Sequence, residues 1–583
     1  MKGRGRKPAL RNPSLSGQIL LVSAAAAREL DGEAARDWGL SPFALVEAAG
    51  RNCARCLVQW LDRRPRQWFG LFPSSFRVTA LAGSGNNGAD ALVLLRALVL
   101  EHGLLPQNAA ALLNRLPEPD ENSPRAGAVR ALQAMGIRVL PWEDGVESCA
   151  SAYAEALLEA PRIIIDGIAG TGLSGPLRDL PLDMARAVNR AREASAGRAG
   201  EKNNACAGER PLVVSIDVPS GIGDGFKPGW PVVASDAVLA VEPAKLALYK
   251  PAARPFAGTI LHVGGIFPAA LVKKYSEAEL VEWESARGRI PAVAPDAYKY
   301  TRGVAEIRAG SAGSAGAARI AAKGAQAAGA GLVRLAVDAA LYPVLAASAG
   351  GIMVFEAGGG ADDPGRFRPD ALLLGPGWGG DPGRKEALEA AIRLEGDGTP
   401  LILDADAIAL AKGRVFHGNT ILTPHPGELA NFAGVSREEL ADDPFSILRR
   451  VSREVNAVIL FKTAVLIAAA PEGSGCRFAV IDGMAPVLGA GGSGDLLAGL
   501  CAGIAARARA QSFRAGAGVD AGTGAPVGAG GQAEASIDIF SCAVAAAALL
   551  VACAKEPASR RFADPLDLAR TAAALAGDAW LPG

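Results

Sequence analysis

Short apolar runs recur along this chain, and each of them ends in a polar or glycine-rich cluster. The clearest runs lie at 78–82, 163–165, 213–216, 372–374, 401–403 and 458–461. Longer segments with helical spacing, such as 89–100 and 319–328, separate them. Continuous apolar strands that alternate with helices predict parallel sheets covered by helices on both faces. We therefore predict an α/β fold, with ligands bound beyond the carboxyl ends of the strands.

The length of 583 residues predicts two or more domains, each with its own core. We place a basic, disordered tail at 1–17, a first domain at 18–270, a linker at 271–295 and a second domain at 296–583. Within these domains, the segments 117–124, 194–210 and 516–535 are small, polar or rich in glycine and proline, which predicts loops or insertions.

Charge and cysteine content exclude some classes of function. The 60 basic and 60 acidic residues cancel, which gives no support for nucleic-acid binding through a basic surface. The basic residues of the first segment indicate a disordered tail rather than a nucleic-acid arm. Eight scattered cysteines suit reduced thiols and a cytoplasmic protein. The apolar run at 542–554 is too short to span a membrane.

The apolar stretch at 19–27 follows the basic segment and imitates a secretory signal. The alternative is an amphipathic first helix that continues through Arg28, Glu29 and Leu30. We favour the helix.

Three predicted strand ends in the first half carry unusual polar residues. They read LAGSGNNGAD at 81–90, DGIAGTGLSG at 166–175 and IDVPSG at 216–221. Glycine turns between a strand and a helix hold phosphates through backbone amides. Asn87, Asp166 and Ser220 offer the hard oxygen ligands that suit a hard cation, and Asp217 could serve as an acid or base. The alternative is that these residues form ordinary turns and helix caps.

In the second half, the loop GAGGSGD at 489–495 is followed at once by the apolar run 496–500. A helix that starts there would offer free amides to an anion. Asp495, placed beside a bound phosphate, could take a proton from a hydroxyl about to be phosphorylated. This combination predicts phosphoryl transfer to a small alcohol. The alternative is a simple turn in a chain with 71 glycines.

Neighbouring strand ends support that prediction. DAD at 404–406, TPHPGE at 423–428 and GPGWG at 375–379 each follow an apolar run. His425, held between two prolines, is either a turn residue or a donor to a ligand hydroxyl or phosphate. Lys462 ends another run and could neutralise nucleotide phosphate.

The first half resembles the YjeF N-terminal domain family, the NAD(P)H-hydrate epimerases. NNGADA, DGIAGTGL and DVPSG match the family's NNGGDG, D…GTGL and DVPSG elements, with Ala89 and Ala91 at positions where the family usually has glycine. Residues 20–50 resemble the family's opening helices. The resemblance implies a Rossmann-like, three-layer α/β/α domain, with a potassium ion held by Asn87, Asp166 and Ser220. It makes Asp217 the substrate-contacting carboxylate, which we take as the acid–base residue. The other residues that it implies for substrate binding are Asn86, Asn87, Gly88, Ala89, Asp90, Gly170, Thr171, Gly172, Leu173, Ser174, Gly175 and Pro176.

The second half resembles the YjeF C-terminal family, the ADP-dependent NAD(P)H-hydrate dehydratases of ribokinase-like fold. TPHPGE, GPGxG, DAD and GxGGSGDxLAG occur almost unchanged and in order. The resemblance implies that Asp495 is catalytic and contacts the hydrated nicotinamide together with His425, Gly377 and Ala317. The residues that it implies for nucleotide binding are Lys462, Thr463, Ala464, Gly492, Ser493 and Gly494.

Together the halves imply metabolite repair of hydrated NADH and NADPH. The first domain would interconvert the R and S epimers with K⁺, and the second would dehydrate the S form with ADP and Mg²⁺. We expect a cytoplasmic homo-oligomer with no nucleic-acid or membrane partner. The alternative is a ribokinase-like small-molecule kinase whose first half is a non-catalytic binding module.

Overall fold

The computed structural model describes residues 18–63, 76–142, 162–194, 210–290, 292–358, 368–516, 537–559 and 564–580. The predicted tail at 1–17 and most of the predicted insertions at 194–210 and 516–535 lie outside these residues. The chain divides into two compact units at residues 279 and 280. We call them unit 1 and unit 2.

Unit 1 contains a sheet of seven parallel strands. In chain order the described strands of unit 1, of which β1 and β8 lie outside this sheet, are β1 (Ile19–Val22), β2 (Val78–Ala82), β3 (Ala109–Leu113), β4 (Arg138–Pro141), β5 (Ile163–Gly167), β6 (Leu212–Ile216), β7 (Ala237–Val241), β8 (Ala244–Lys245) and β9 (Thr259–Val263). The sheet has the order β4-β3-β2-β5-β6-β7-β9, and β1 pairs with β8 in parallel. The helices are α1 (Ala24–Asp37), α2 (Pro42–Leu61), α3 (Asn86–His102), α4 (Pro124–Ala134), α5 (Asp179–Ala194) and α6 (Ala269–Tyr275).

Alternate side chains of these strands enter two separate cores. Ala80 and Ala82 pack in a cluster with α2, α3 and α4, whereas Leu81 packs in a second cluster with Met184 and Val188 of α5. This is the period of two that a strand covered on both faces requires. The prediction of a three-layer α/β/α domain is confirmed for the described part of unit 1.

Strand β10 (Ala278–Leu280) lies at the boundary of the units. In unit 2 the strands are β11 (Val304–Arg308), β12 (Leu332–Val337), β13 (Met353–Glu356), β14 (Ala371–Leu374), β15 (Leu401–Leu403), β16 (Thr420–Leu422), β17 (Val458–Phe461), β18 (Val465–Glu472) and β19 (Gly475–Asp482). They form the order β13-β12-β11-β14-β15-β16-β17-β18-β19, in which the strands from β13 to β17 pair in parallel and the last two pairings are antiparallel.

The helices of unit 2 are α7 (Trp283–Ala286), α8 (Ala315–Ala327), α9 (Tyr342–Ala346), α10 (Gly383–Gly396), α11 (Asp406–Leu410), α12 (Pro426–Ala433), α13 (Arg437–Asp442), α14 (Pro444–Val455), α15 (Ser493–Gly516), α16 (Ile539–Lys555) and α17 (Pro565–Trp580). Helices α8, α15 and α16 share one apolar cluster with the sheet. The apolar run 542–554 lies in α16 and is almost entirely buried there. Within the described residues, no helix has the length and apolar character needed to cross a membrane.

The prediction of a helix over 19–27 is wrong for its first residues. Residues Ile19–Val22 form β1, in which Leu21 and Val22 pair with Ala244 and Lys245. Helix α1 begins only at Ala24, where the Ser23 hydroxyl accepts a hydrogen bond from the Ala26 amide at 3.1 Å. Pairing with β8 and the complete burial of Leu21 and Val22 stabilise a strand here more than helix propensity stabilises a helix. Ser23 then caps the start of the helix.

Candidate functional sites

The loops that follow β2 and β5 in unit 1 pack against each other through backbone atoms. A Cβ atom on Gly83 would lie 1.9 Å from the carbonyl oxygen of Ile168, so no other residue fits at position 83. The Gly83 amide donates to the Gly167 carbonyl at 3.0 Å. This close approach brings the NNGADA segment and the DGIAGTGL segment to the same edge of the sheet.

A cavity of about 520 Å³ opens at this edge. Its lining includes, among the predicted substrate-binding residues, Asn86, Asn87, Asp90, Gly170, Thr171, Gly172, Leu173 and Asp217. Gly88 and Ala89 lie behind the wall in the buried part of α3, and Ser174, Gly175 and Pro176 continue the loop beyond the lining. The methyl group of Ala89 therefore packs in the core and does not face the cavity.

Asp217 lies at the carboxyl end of β6, where the chain adopts a left-handed conformation with φ of 61°. Such a backbone costs about 1 kcal/mol for a residue other than glycine and is concentrated at functional sites. The Asp217 carboxylate accepts a hydrogen bond from the Lys245 ammonium group at 2.8 Å. Lys245 also donates to the carbonyl oxygens of Val241 and Pro243 at 3.2 and 2.8 Å.

Two further carboxyl groups line the same cavity. Burial, together with Asp217 and Asp31, raises the pKa of Asp90 well above its ordinary value, although Lys245 acts in the opposite direction. Burial also raises the pKa of Asp31. The Oδ1 atom of Asp90 is buried and has no hydrogen-bond partner. The cavity thus combines an ion-paired carboxylate with two carboxyl groups whose pKa values are raised.

Asp166, Ser220 and Asn87, the predicted potassium ligands, converge on the segment 167–170. Asp166 is fully buried and accepts hydrogen bonds from the hydroxyls of Ser215 and Ser220 at 2.6 and 2.5 Å and from the amides of Ser220 and Ile168. The Ser220 hydroxyl also bonds to the backbone of Ala169. A Cβ on Gly170 would lie 3.1 Å from the Cβ of Asn87.

These residues fit a monovalent cation. All donors to Asp166 that the structure describes are neutral, and burial raises the pKa of its carboxyl group. Both polar atoms of the Asn87 side chain are buried without a hydrogen-bond partner. A buried carboxylate without a counter-charge and an unpaired amide oxygen are the features that a bound cation would satisfy.

In unit 2 the loops after β14, β15, β16 and β17 meet in the same way, at the carboxyl edge of the parallel strands. Gly375 has a φ of 119°, and a Cβ there would lie 1.8 Å from the carbonyl oxygen of Asp404. The Lys462 amide donates to the Pro424 carbonyl at 2.9 Å. The GPGWG, DAD and TPHPGE segments are therefore neighbours in space.

A buried ion pair lies at the centre of this edge. The Lys462 ammonium group donates to Oδ1 of Asp404 at 2.5 Å, and the Thr423 hydroxyl donates to the same atom at 2.7 Å. Burial alone would lower the pKa of Lys462, but Asp404, Glu428 and Asp495 outweigh it, and the net shift is upward. Lys462 is therefore a fixed positive charge.

Asp495 lies in the first turn of α15, beside that pair. Burial raises its pKa to about 6; the carboxylate of Asp404 adds to the rise, and Lys462 opposes it. Since the first amides of a helix have no partner within the helix, Gly494 and Asp495 offer N–H groups to an anion, whereas the Ser493 amide donates to the Ala490 carbonyl at 3.4 Å. A Cβ on Gly494 would lie 3.3 Å from Nζ of Lys462, so the lysine reaches the helix start.

His425 is the N-cap of α12, in a capping box with Glu428. Its Nδ1 atom accepts hydrogen bonds from the amides of Gly427 and Glu428 at 3.0 and 3.3 Å. The ring proton of neutral His425 must then be on Nε2, which lies 3.3 Å from Oε1 of Glu428. One ring nitrogen therefore ends a turn, as the first interpretation requires, and the role of the exposed ring as a donor to a ligand stays a prediction.

The other predicted residues of unit 2 surround this centre. A Cβ on Gly377 would lie 3.0 Å from the Cβ of Ala317, so these two residues are in contact. The hydroxyls of Ser493 and Thr463 donate hydrogen bonds to the carbonyl oxygens of Leu488 and Val465, respectively. Gly492 has a φ of 91° in the turn before α15, and Ala464 is exposed between β17 and β18.

Sequence reasoning missed several polar residues of these sites. In unit 1 it did not single out Lys245 or Asp31, which lie outside any glycine-rich motif. In unit 2 it quoted the segments with Asp404 and Thr423 but gave neither residue a role. Both Asp404 and Thr423 follow a buried strand, and that position was the signal that could have found them.

Comparison with known proteins matches each half separately. Residues 42–247 match the family described as YjeF-related protein N-terminus, and residues 305–554 match the family described as NAD(P)H-hydrate dehydratase. Among solved structures, an ADP/ATP-dependent NAD(P)H-hydrate dehydratase from Bacillus subtilis, co-crystallised with ATP and Mg²⁺, is 24% identical with a TM-score of 0.41. The match covers 50% of this chain and 95% of that chain.

Curated relatives match along both halves. The bifunctional NAD(P)H-hydrate repair enzyme Nnr of Methanopyrus kandleri is 30% identical over 75% of this chain and 80% of its own length. The enzyme of the same name from Coxiella burnetii is 28% identical over 84% of this chain and 91% of its own length. These matches favour repair over the kinase alternative. The chain belongs to the family of bifunctional NAD(P)H-hydrate repair enzymes.

Proposed function

We propose that this chain restores hydrated NADH and NADPH in two steps, one in each unit. Unit 1 interconverts the R and S epimers of the hydrate. Unit 2 dehydrates the S form to the reduced nucleotide and converts ADP to AMP and phosphate. The observation that carries the second step is Asp495, whose pKa is about 6 at the start of α15 beside Lys462.

The chemistry of unit 2 follows from that position. The hydroxyl of the hydrate is a poor leaving group, so Asp495 takes its proton while the oxygen attacks the terminal phosphorus of ADP. The bond from phosphorus to the AMP oxygen breaks, and the amides at the start of α15 stabilise the charge on the phosphoryl oxygens. Elimination then releases phosphate from the ester with loss of a ring proton, which restores the double bond. A base with a pKa near the working pH is suited to the first transfer.

The chemistry of unit 1 requires the configuration of one carbon to be inverted by loss and return of its hydroxyl group. Water adds to an enamine at the carbon next to nitrogen, so this carbon carries both the hydroxyl and the ring nitrogen. We propose that Asp217 transfers the protons that let the hydroxyl leave as water and let water return on the opposite face. The free amides at the start of α3, where Asn86 and Asn87 line the cavity, suit the phosphates of the nucleotide.

Two cations complete the proposal. Asn87, Asp166 and Ser220 would hold K⁺, which would supply the positive charge that Asp166 otherwise lacks. No group of three or more His, Cys, Asp or Glu side chains suited to a metal ion occurs among the described residues. Mg²⁺ would arrive with ADP, because Mg²⁺ keeps waters and binds largely through substrate phosphates.

The test mixes purified protein with each epimer of hydrated NADH, with and without ADP, and follows the absorbance of the reduced nicotinamide. We expect ADP-dependent recovery of both epimers. Recovery of the S form alone would contradict the proposed epimerisation. No recovery with either ADP or ATP, together with phosphorylation of a hydroxymethyl heterocycle, would favour the kinase alternative.

A cytoplasmic location and a homo-oligomer are further proposals. The cysteines that the structure describes as free, Cys53, Cys56, Cys476, Cys501, Cys542 and Cys553, support a reducing compartment. The homo-oligomer is a prediction from the sequence, and light scattering on the purified protein tests it.

A further inference from the structure

Among the residues of unit 1 that the structure describes, Lys245 is the cationic side chain that contacts the carboxylate proposed to transfer protons. It occupies β8, where it pairs with Val22 of β1, and only 6% of its surface is exposed. A lysine buried to this extent is rare unless its charge is compensated. No sequence motif and no family role singled it out.

The three N–H bonds of the ammonium group have three acceptors. They are Oδ1 of Asp217 and the carbonyl oxygens of Val241 and Pro243. A lysine whose donors are all occupied is held in one orientation. It is therefore well placed to fix the orientation of its neighbour.

Asp217 needs such a neighbour, because its other ionisable neighbours are mostly acidic. Asp31 of α1 and Asp90 of α3 line the same cavity, and Glu242 lies on its wall with its carboxylate bound to the amides of Ile266 and Phe267. Arg28 lines the cavity from an exposed position on α1. The buried thiol of Cys53 on α2 is also within electrostatic reach of Asp217.

We propose that Lys245 is a positioning residue for the epimerisation, which holds the Asp217 carboxyl group in the correct orientation in the cavity. The proposal rests on the proposed function of unit 1. Lys245 acts through Asp217: it offsets the repulsion from Asp31 and Asp90 and restrains a side chain on a strained backbone. Loss of the lysine should slow the proton transfer more than it weakens substrate binding.

The test measures the conversion of pure R epimer to S epimer by chromatography without ADP, across about pH 5 to about pH 9. In Lys245→Met, we expect kcat near neutral pH to fall about 10- to 100-fold with little change in KM. An unchanged kcat, or a KM that rises as much as kcat falls, would overturn the proposal.

Two variants separate a role in the site from a role in folding. Lys245→Arg keeps the charge but changes the geometry, so kcat should fall only several-fold, which is a partial rescue relative to Lys245→Met. Lys274→Met removes an exposed ion pair with Glu33 in the same unit and should leave the whole profile unchanged. ADP-dependent dehydration of the S epimer by unit 2 of each variant reports the amount of folded chain.

The outcomes distinguish this proposal from the proposed function itself. A wild-type chain that does not interconvert the epimers at any pH contradicts the function of unit 1, whatever Lys245 does. If Lys245→Met does not fold, Lys245→Arg decides. A wild-type kcat and KM in that variant would show that the geometry of the Lys245 contact does not position Asp217.

Discussion

Both units place one lysine among several aspartates at the carboxyl end of a parallel sheet, but they pair it differently. In unit 1, Lys245 contacts Asp217, the proposed acid–base residue, and Asp90 is left unpaired. In unit 2, Lys462 contacts Asp404, and Asp495, the proposed base, is left with a raised pKa. The same residue types thus give two different arrangements. In unit 1 the lysine contacts the proposed catalytic aspartate, and in unit 2 it contacts the neighbouring aspartate.

The difference matches the proposed chemistry. A base that must take a proton from an alcohol works best with a pKa close to the working pH, and Asp495 has that property. Epimerisation requires a proton to be given to the departing hydroxyl and taken from the returning water. The Asp217 carboxyl group, held by Lys245 in the cavity, is placed for both transfers.

The largest expected effect is the loss of the base in unit 2. Asp495→Asn should lower kcat for ADP-dependent dehydration about a thousandfold, because the amide cannot accept the proton of the hydroxyl. Epimerisation by unit 1 of the same protein should stay at the wild-type rate. Both rates are measured on one preparation, by absorbance and by chromatography. Dehydration within a factor of about three of wild type would contradict the proposed role.

The next effect is the pH dependence of wild-type dehydration. Asp495 must be ionised to act as a base, so kcat should fall as the pH drops through about 6. About one pH unit below that value, roughly a tenth of the carboxyl groups remain ionised. The measurement is kcat with saturating ADP and S epimer from about pH 5 to about pH 8. A flat profile over this range would exclude an acid–base role for Asp495.

A smaller effect comes from changing the pairing in unit 2. Asp404→Asn removes the carboxylate that raises the pKa of Asp495 and leaves Lys462 free to interact with Asp495. The pKa of Asp495 should fall, and the acidic limb of dehydration should move down by about one pH unit. Thr423→Val is the matched control, since it removes a neutral donor to Asp404 and should shift the limb much less. An upward shift in Asp404→Asn would contradict the comparison.

The smallest effect concerns stability. The folded-state pKa of Asp495 lies above its ordinary value, so the native state is destabilised once this group ionises, at pH values above about 6. Asp495→Asn should therefore raise the free energy of unfolding at pH 8 by about 1 kcal/mol, after allowance for partial exposure, and raise Tm by about 2–4 °C. The gain should vanish near pH 4. The exposed Asp397→Asn is the control; an equal gain at both pH values would contradict this account.

Six of the strands could be predicted from their apolar runs, and their outcome explains why. The apolar runs at 78–82, 401–403 and 458–461 form strands with those bounds, because a strand buried on both faces needs a continuous apolar sequence. The run at 19–22 was misassigned because its partner β8 is more than 200 residues away. Local pattern does not contain that pairing.

The candidate sites could be predicted only in part. Asp217 and Asp495 follow buried runs and stand next to turn residues, so their position on the sheet edge was readable. Lys245 follows a two-residue strand and has no such signal. The raised pKa of Asp495 depends on which aspartate Lys462 contacts, and a one-dimensional pattern does not specify that contact.

The positions of glycine or alanine in the NNGADA region are not equivalent in the substitutions that they permit. Ala89 and Ala91 stand where related sequences usually carry glycine, yet their methyl groups fill the core behind α3. A methyl group on Gly83 or Gly88 would instead collide with backbone atoms. Mutational scanning of this segment should accordingly give two classes of position, one that accepts alanine and one that requires glycine. A search pattern for such domains gains sensitivity if it accepts alanine at the first class and demands glycine only at the second.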